Sequence, residues 1–235
     1  MKYLAKILLL FCLFLSLIGC NSDIDEGSLA PLNYKYLALG DSYTYGQSVC
    51  ETCRFPEQLK DSLRQFLNAE DSFNLKLIAQ TGWTTTNLNT AISIEYLQND
   101  YDLVTLLIGV NNQYQNIPFS VYEQEFVALV NTAITKGKGD KNNLIVVSIP
   151  DYAFTPFGQN SSNPSNISSQ LDTYNAFAEN YCLANNITFI NITDITRLGL
   201  EQPELVATDG LHPSTIAYSK FVERILPVVK NKLGL

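Results

Sequence analysis

The stretch Asp102 to Ile108 constrains the fold most, because it is almost wholly apolar. Such a run suits a strand buried on both faces, and strands of that kind belong to parallel sheets with helices packed on each side. Four further runs read as strands: Tyr36 to Leu39, Phe73 to Ala79, Leu144 to Ile149 and Ile187 to Ile192. Between them lie segments of helical spacing. Phe55 to Leu67 puts Leu59, Leu63, Phe66 and Leu67 on one face. Thr84 to Leu97, Val121 to Thr135, Leu171 to Ala184 and the closing Ile216 to Lys232 complete the series. Strand–helix alternation of this kind predicts a three-layer, doubly wound α/β fold around a five-stranded parallel sheet. Thr155 to Ser169, rich in Asn, Ser, Gly and Pro, reads as a loop long enough for a lid or substrate wall.

Length and composition agree with one domain and a sizeable core, at 235 residues, 46% hydrophobic and 16% charged. No internal repeat is visible. The formal charge of −8 and the lack of any basic cluster speak against nucleic acid as a partner. Residues 1–20 stand apart from the fold. Lys2 and Lys6 form a positive start, Ile7 to Ile18 an apolar core, and Leu17-Ile18-Gly19-Cys20 a cleavage site of small residues. The run is short for a membrane span and reads as a signal peptide. Its ending resembles a bacterial lipobox, which implies a lipidated Cys20 at the mature N-terminus. An ordinary secretory signal that happens to end in cysteine is the alternative. Several acyl chains on one cysteine give stable anchoring where a single chain does not. Residues 21–32 then form a tether, acidic at Asp23, Asp25 and Glu26, and the domain proper is 33–235. These features imply a lipid-anchored protein of the bacterial cell envelope, facing the periplasm or the cell surface.

The chemistry concentrates where the first strand ends, at Leu39-Gly40-Asp41-Ser42. Open α/β sheets hold ligands at the carboxyl ends of their strands, so a sharp turn there lifts the Ser42 hydroxyl into a ligand site. A serine needs a base to become a nucleophile. The chain has one histidine, His212, and Asp209 precedes it at a spacing that lets the two side chains meet. Cys50 and Cys53 suggest redox work or a metal site in a cytosolic protein and a loop-clamping disulfide in an exported one. Zinc is disfavoured, since no second cysteine pair exists and the only histidine is already engaged. Cys182 reads as a buried thiol on a helix.

Four blocks in this order resemble the GDSL, or SGNH, hydrolases, a family of serine esterases and lipases. Gly40-Asp41-Ser42-Tyr43-Thr44-Tyr45-Gly46 matches the first block, with Tyr43 where Leu is common. Gly82, opening Trp83-Thr84-Thr85-Thr86, matches the second; Gly109-Val110-Asn111-Asn112 the third; and Asp209 to His212 the last. The resemblance implies the flavodoxin-like strand order 2-1-3-4-5. It also implies a catalytic triad of Ser42, His212 and Asp209, with an oxyanion hole from the N–H groups of Ser42 and Gly82 and the Asn111 amide. Asp41 is then a structural hydrogen-bonder behind the nucleophile, and Trp83 a residue of the pocket mouth or of the packing. Asn112 departs from the family's usual Asp. The implied reaction is hydrolysis of acyl esters without cofactor or metal, on a lipid as in a lysophospholipase or carboxylesterase, or on an O-acetylated sugar. Acyl transfer uses the same residues. A binding lipoprotein without turnover is the reading from another class.

Overall fold

The computed structural model describes residues 30–235. The signal-peptide expectation, Cys20 and most of the tether lie outside the described residues. Strands β1 (Asn33–Gly40), β2 (Ser72–Ala79), β3 (Leu103–Leu107), β4 (Leu144–Val147) and β5 (Thr188–Ile190) form one sheet. All its pairs are parallel, in the order β2-β1-β3-β4-β5. Every residue of β3 and of β4 is buried, as expected of strands covered on both faces. Helix α2 (Phe55–Arg64) packs against the closing helix α9 (Thr215–Leu233), which follows the short α8 (Thr193–Thr196). Helices α3 (Thr85–Ile94), α5 (Phe119–Lys136) and α7 (Pro164–Ala184) form a second row, α3 on α5 and α5 on α7.

The core is closed by aromatic side chains as much as by aliphatic ones. Tyr122 of α5 lies against Tyr174 of α7 with ring centroids 4.4 Å apart, and Phe126, Phe177 and Phe119 surround them. Pairs of this kind contribute about 0.5–1.5 kcal/mol each beyond the area they bury. The Tyr36 and Thr105 hydroxyls satisfy one another at 2.9 Å in the middle of the sheet. Cys182 is buried and free, and burial pushes its thiol up to about 12, the state of a packing residue and not a reactive one.

Two expectations change. The segment Thr155 to Ser169 is not one loop. It holds a short helix, α6 (Pro156–Gln159), and the first turns of α7, which begins at Pro164. Asn163 caps α7 by accepting the Asn166 N–H, and Pro164 stands where an N–H has no intrahelical partner. Asn, Ser and Pro are loop residues by composition and helix-start residues by position, which is why apolar spacing alone set the start too late. At the other end of the chain, α2 stops at Arg64, so Phe66 leaves its apolar face. It is 47% exposed, with Lys230 Nζ 3.3 Å above its ring.

Candidate active site

The register of the sheet brings three strand ends to one level, since Gly40 of β1 pairs with Ala79 of β2 and with Leu107 of β3. The chain leaves β1 outward to β2 and returns to β3 on the other side, so the β1/β3 border is the switch point where a crevice opens.

After β1, Asp41 caps helix α1 (Ser42–Tyr45), its Oδ1 accepting the Tyr43 N–H at 3.0 Å. Ser42 is the first helical residue, so its N–H has no intrahelical acceptor. Asp41 is wholly buried and cannot meet substrate. Burial pushes its carboxyl up to about 7, against the pull of N–H groups from Tyr43, Gly109 and its own backbone. It builds the turn beneath the serine.

After β3 the chain turns through Gly109 at φ +129°. A Cβ there would stand 2.5 Å from the Tyr122 ring and 2.9 Å from the Ile149 side chain, so only glycine fits. Helix α4 (Val110–Tyr114) follows, and Asn111 near its start donates from Nδ2 to the Trp83 carbonyl at 3.0 Å. That bond uses one amide hydrogen and leaves the second for the cleft. After β2, Gly82 has φ +85° and nothing within 4 Å of where a Cβ would be. Its conformation asks for glycine, while its open side is the cleft. Two glutamines hold this turn as well: Thr81 donates to Gln47 Oε1 at 2.6 Å, and Gln115 Nε2 to the Gly82 carbonyl at 3.2 Å. Trp83 is half-buried against the core and not part of the cleft wall.

Before α9, His212 Nδ1 meets Asp209 Oδ2 at 2.6 Å. The Leu211 and His212 N–H groups donate to Asp209 Oδ1 at 2.9 and 3.0 Å. A fourth donor was not legible in the sequence: the Ser48 hydroxyl reaches the same Oδ2 at 2.6 Å. Burial works against ionised Asp209, but the hydrogen bonds from Ser48, the His212 ring and the two N–H groups hold its carboxyl well below the usual range. Ser48 sits at φ +68°, an uncommon conformation for a residue with a side chain, between helix α1 and a disulfide joining Cys50 to Cys53. Tyr43 packs edge-on to the imidazole with centroids 5.8 Å apart.

Ser42, Gly82, Asn111 and His212 line one cleft of about 310 Å³, walled by Val110, Tyr114, Tyr152, Phe157 and Leu211. Asp209 stands behind the histidine. No hydrogen bond joins the Ser42 hydroxyl to the imidazole here. Among the described residues, no cluster of His, Cys, Asp and Glu is placed to hold a metal ion, and no helix is long and apolar enough to cross a membrane.

Asn112, the departure in the third block, has a physical explanation. It is fully buried, accepts the Thr85 N–H at 2.9 Å and donates from Nδ2 to Thr85 Oγ1 at 2.7 Å. The Thr85 hydroxyl spends its own hydrogen on Glu125, which also accepts from Thr86 at 2.8 Å. Thr85 Oγ1 therefore needs a donor from position 112, and an aspartate has none to give.

The family model for the GDSL-like lipase/acylhydrolase family matches residues 38–220. Fold and match together define an ester-hydrolysing α/β enzyme. The chain belongs to the GDSL, or SGNH, hydrolase family. Solved structures agree in fold. A lipase/acylhydrolase from Enterococcus faecalis is 19% identical with a TM-score of 0.65, over 85% of this chain and 96% of the other. The acetylxylan esterase Axe2 from Geobacillus stearothermophilus is 18% identical with a TM-score of 0.64, over 85% and 95%. A member of the lipolytic G-D-S-L family from Veillonella parvula is 16% identical with a TM-score of 0.65, over 83% and 97%. A search of curated protein sequences finds no match.

The Asn112–Thr85–Glu125 arrangement makes a specific demand on stability. Asn112→Asp should cost about 1–3 kcal/mol in urea unfolding, because a buried acceptor then faces an oxygen instead of a donor. Adding Glu125→Gln should recover much of that loss, since the glutamine can donate to Thr85 and free its hydrogen for the aspartate. Strictly additive effects in the double-mutant cycle would remove the coupling.

Proposed function

We propose that the protein hydrolyses carboxylic esters by a Ser42–His212–Asp209 mechanism. The observation that carries this reading is the 2.6 Å His212–Asp209 bond at the rim of a cleft that also holds Ser42, Gly82 and Asn111. Ser42 Oγ attacks the ester carbonyl carbon as His212 Nε2 takes its proton, a contact that tightens when substrate fills the cleft. Asp209 keeps Nδ1 protonated and steadies the imidazolium. Negative charge on the carbonyl oxygen is met by the N–H groups of Ser42 and Gly82 and the remaining Asn111 amide hydrogen. His212 returns the proton to the departing alcohol. A water deprotonated by the same ring then releases the acid and restores Ser42.

Ser48 acts through Asp209. Its hydroxyl shares the oxygen that holds the histidine, so it fixes where that oxygen stands. The apolar walls from Val110, Leu211 and the aromatic residues suit the acyl group. Relatives in fold are described as an acetylxylan esterase and as a lipase/acylhydrolase, which supports ester chemistry and leaves the alcohol to be argued from this chain. For residues 1–20 we retain the reading of a lipoprotein signal with Cys20 as the anchor.

Four outcomes are expected. Ser42→Ala should lower kcat on 4-nitrophenyl esters from acetate to palmitate by about 10⁴–10⁶-fold, and Asn111→Ala by about 10²–10³-fold. Turnover by the Ser42 variant at the parent rate would discard the assignment. Ser48→Ala should lower kcat about tenfold with KM unchanged, as expected for loss of one hydrogen bond to a charged group. An unaltered kcat would release Ser48 from that role. Finally, Cys20→Ala should move the full-length protein from the membrane to the soluble fraction of cells, and unchanged fractionation would require another anchor.

A further inference from the structure

The catalytic cleft does not end at its aromatic wall. Tyr114, Tyr152 and Phe157 also border a second cavity of about 420 Å³, within the range of small-molecule sites. Tyr114 and Phe157 lie 6.2 Å apart at the junction, and they are 54% and 40% exposed. Past them the lining is almost entirely amide and hydroxyl, from Asn116 on one side and the Asn160-to-Gln170 segment on the other. No Asp, Glu, Lys, Arg or His lines it.

One of these amides is held in a defined orientation from below. Buried Gln113 accepts the Tyr152 hydroxyl at 2.9 Å and donates from Nε2 to Gln170 Oε1 at 2.7 Å. Gln170 therefore has its oxygen committed inward and both amide hydrogens free. The Asn116, Asn160 and Asn166 side chains have no hydrogen-bond partner among the described residues. A surface that offers both donors and acceptors, without charge, beside two aromatic faces, is complementary to vicinal hydroxyls on an apolar ring.

Other ester substrates fit it poorly. A phospholipid headgroup brings a phosphate and an ammonium, and neither would find a countercharge for its lost water. A long acyl chain lying here would strip water from unpaired amides at a cost of the same kind.

We propose that this groove is the subsite for a neutral, polyhydroxylated alcohol portion of the substrate, a glycosyl ring or short glycan whose ester reaches Ser42. The proposal rests on the serine-hydrolase reading of the adjoining cleft. Tyr152 forms part of both cavities and anchors the Gln113–Gln170 chain, so it ties the sugar subsite to the acyl site.

The test compares rates on O-acetylated methyl glycosides of glucose, galactose, mannose and xylose, and on lysophosphatidylcholine, with the rate on 4-nitrophenyl acetate. It uses the full-length protein and its Asn166→Ala/Gln170→Ala variant. The ratio of kcat/KM, glycoside over nitrophenyl ester, should fall at least tenfold in the variant for one or more sugars, mainly through KM. A ratio unchanged for all four would overturn the subsite. So would a fall confined to lysophosphatidylcholine, which would make the groove a lipid headgroup site. A second measurement needs no turnover: cellotriose, xylotriose and mannotriose are titrated calorimetrically into Ser42→Ala with the groove intact and with the two substitutions added. Binding lost on substitution supports the subsite, and no binding of any sugar to the intact groove opposes it. Failure of the underlying hydrolase reading is distinguishable, because it appears as Ser42-independent hydrolysis of 4-nitrophenyl acetate.

Discussion

The site depends on a matter of register. Because β1, β2 and β3 are parallel and end level at Gly40, Ala79 and Leu107, the three turns that follow them emerge side by side at one edge of the sheet. Each turn then needs little length to reach the same point. The serine stands two residues beyond Gly40, Gly82 three beyond Ala79, and Asn111 four beyond Leu107. A one-residue slip of β1 or β3, both buried on either side at this end, would exchange the side chains packed against the two helix layers and carry its site residue out of the cluster, so that packing also guards the site.

What the sheet positions coarsely, side-chain hydrogen bonds fix finely. The turn at Gly82 has neither a regular element nor a side chain of its own to hold it in a left-handed conformation. It is instead tied from both flanks, by Gln47 after α1 and by Asn111 and Gln115 from the α4 segment. The Thr85 N–H at the start of α3 is bound in turn to Asn112. Donors aimed at a developing charge are useful in proportion to how little they must move when it appears. Glycine adopts the positive φ at Gly82 without strain, and these neighbours select it from the many conformations a glycine could take. The same logic holds across the cleft, where four donors converge on Asp209.

The sequence disclosed the parts that are local. Strand order followed from the family blocks, and the five strands from apolar runs; Ser42, Gly82, Asn111, Asp209 and His212 lie on the blocks themselves. The residues that hold them were hidden because their partners are remote in sequence. Ser48 and Asp209 are 161 positions apart, and Thr85 and Glu125 are 40 apart. No periodicity marks such pairs. Asn112 looked like a weakened motif for the same reason. Only with Glu125 in place does it become the residue that the hydrogen-bond count requires. The start of α7 was missed on different grounds, since its first turns face the groove and so carry few apolar residues.

That last point bears on how substrate choice is built. In Asn163 to Gln170 one run of residues serves two purposes: Asn163 and Pro164 start a helix, while Asn166 and Gln170, one turn apart, face a cavity beside the catalytic cleft. A helix holds these amides more firmly than a free loop of the same composition could, and Gln113 fixes one of them further. In the proposed mechanism the chemistry at Ser42 is indifferent to the alcohol that leaves. Discrimination would then come from surfaces such as the proposed subsite, where a substrate with hydroxyls would meet partners and a charged headgroup would meet none. In the proposed reading the reacting atoms and the recognising amides are carried by separate elements, strand-end turns for one and an α7 face for the other, joined through Tyr152. Substrate preference can then change along α7 while the strand ends, and with them the mechanism, stay as they are.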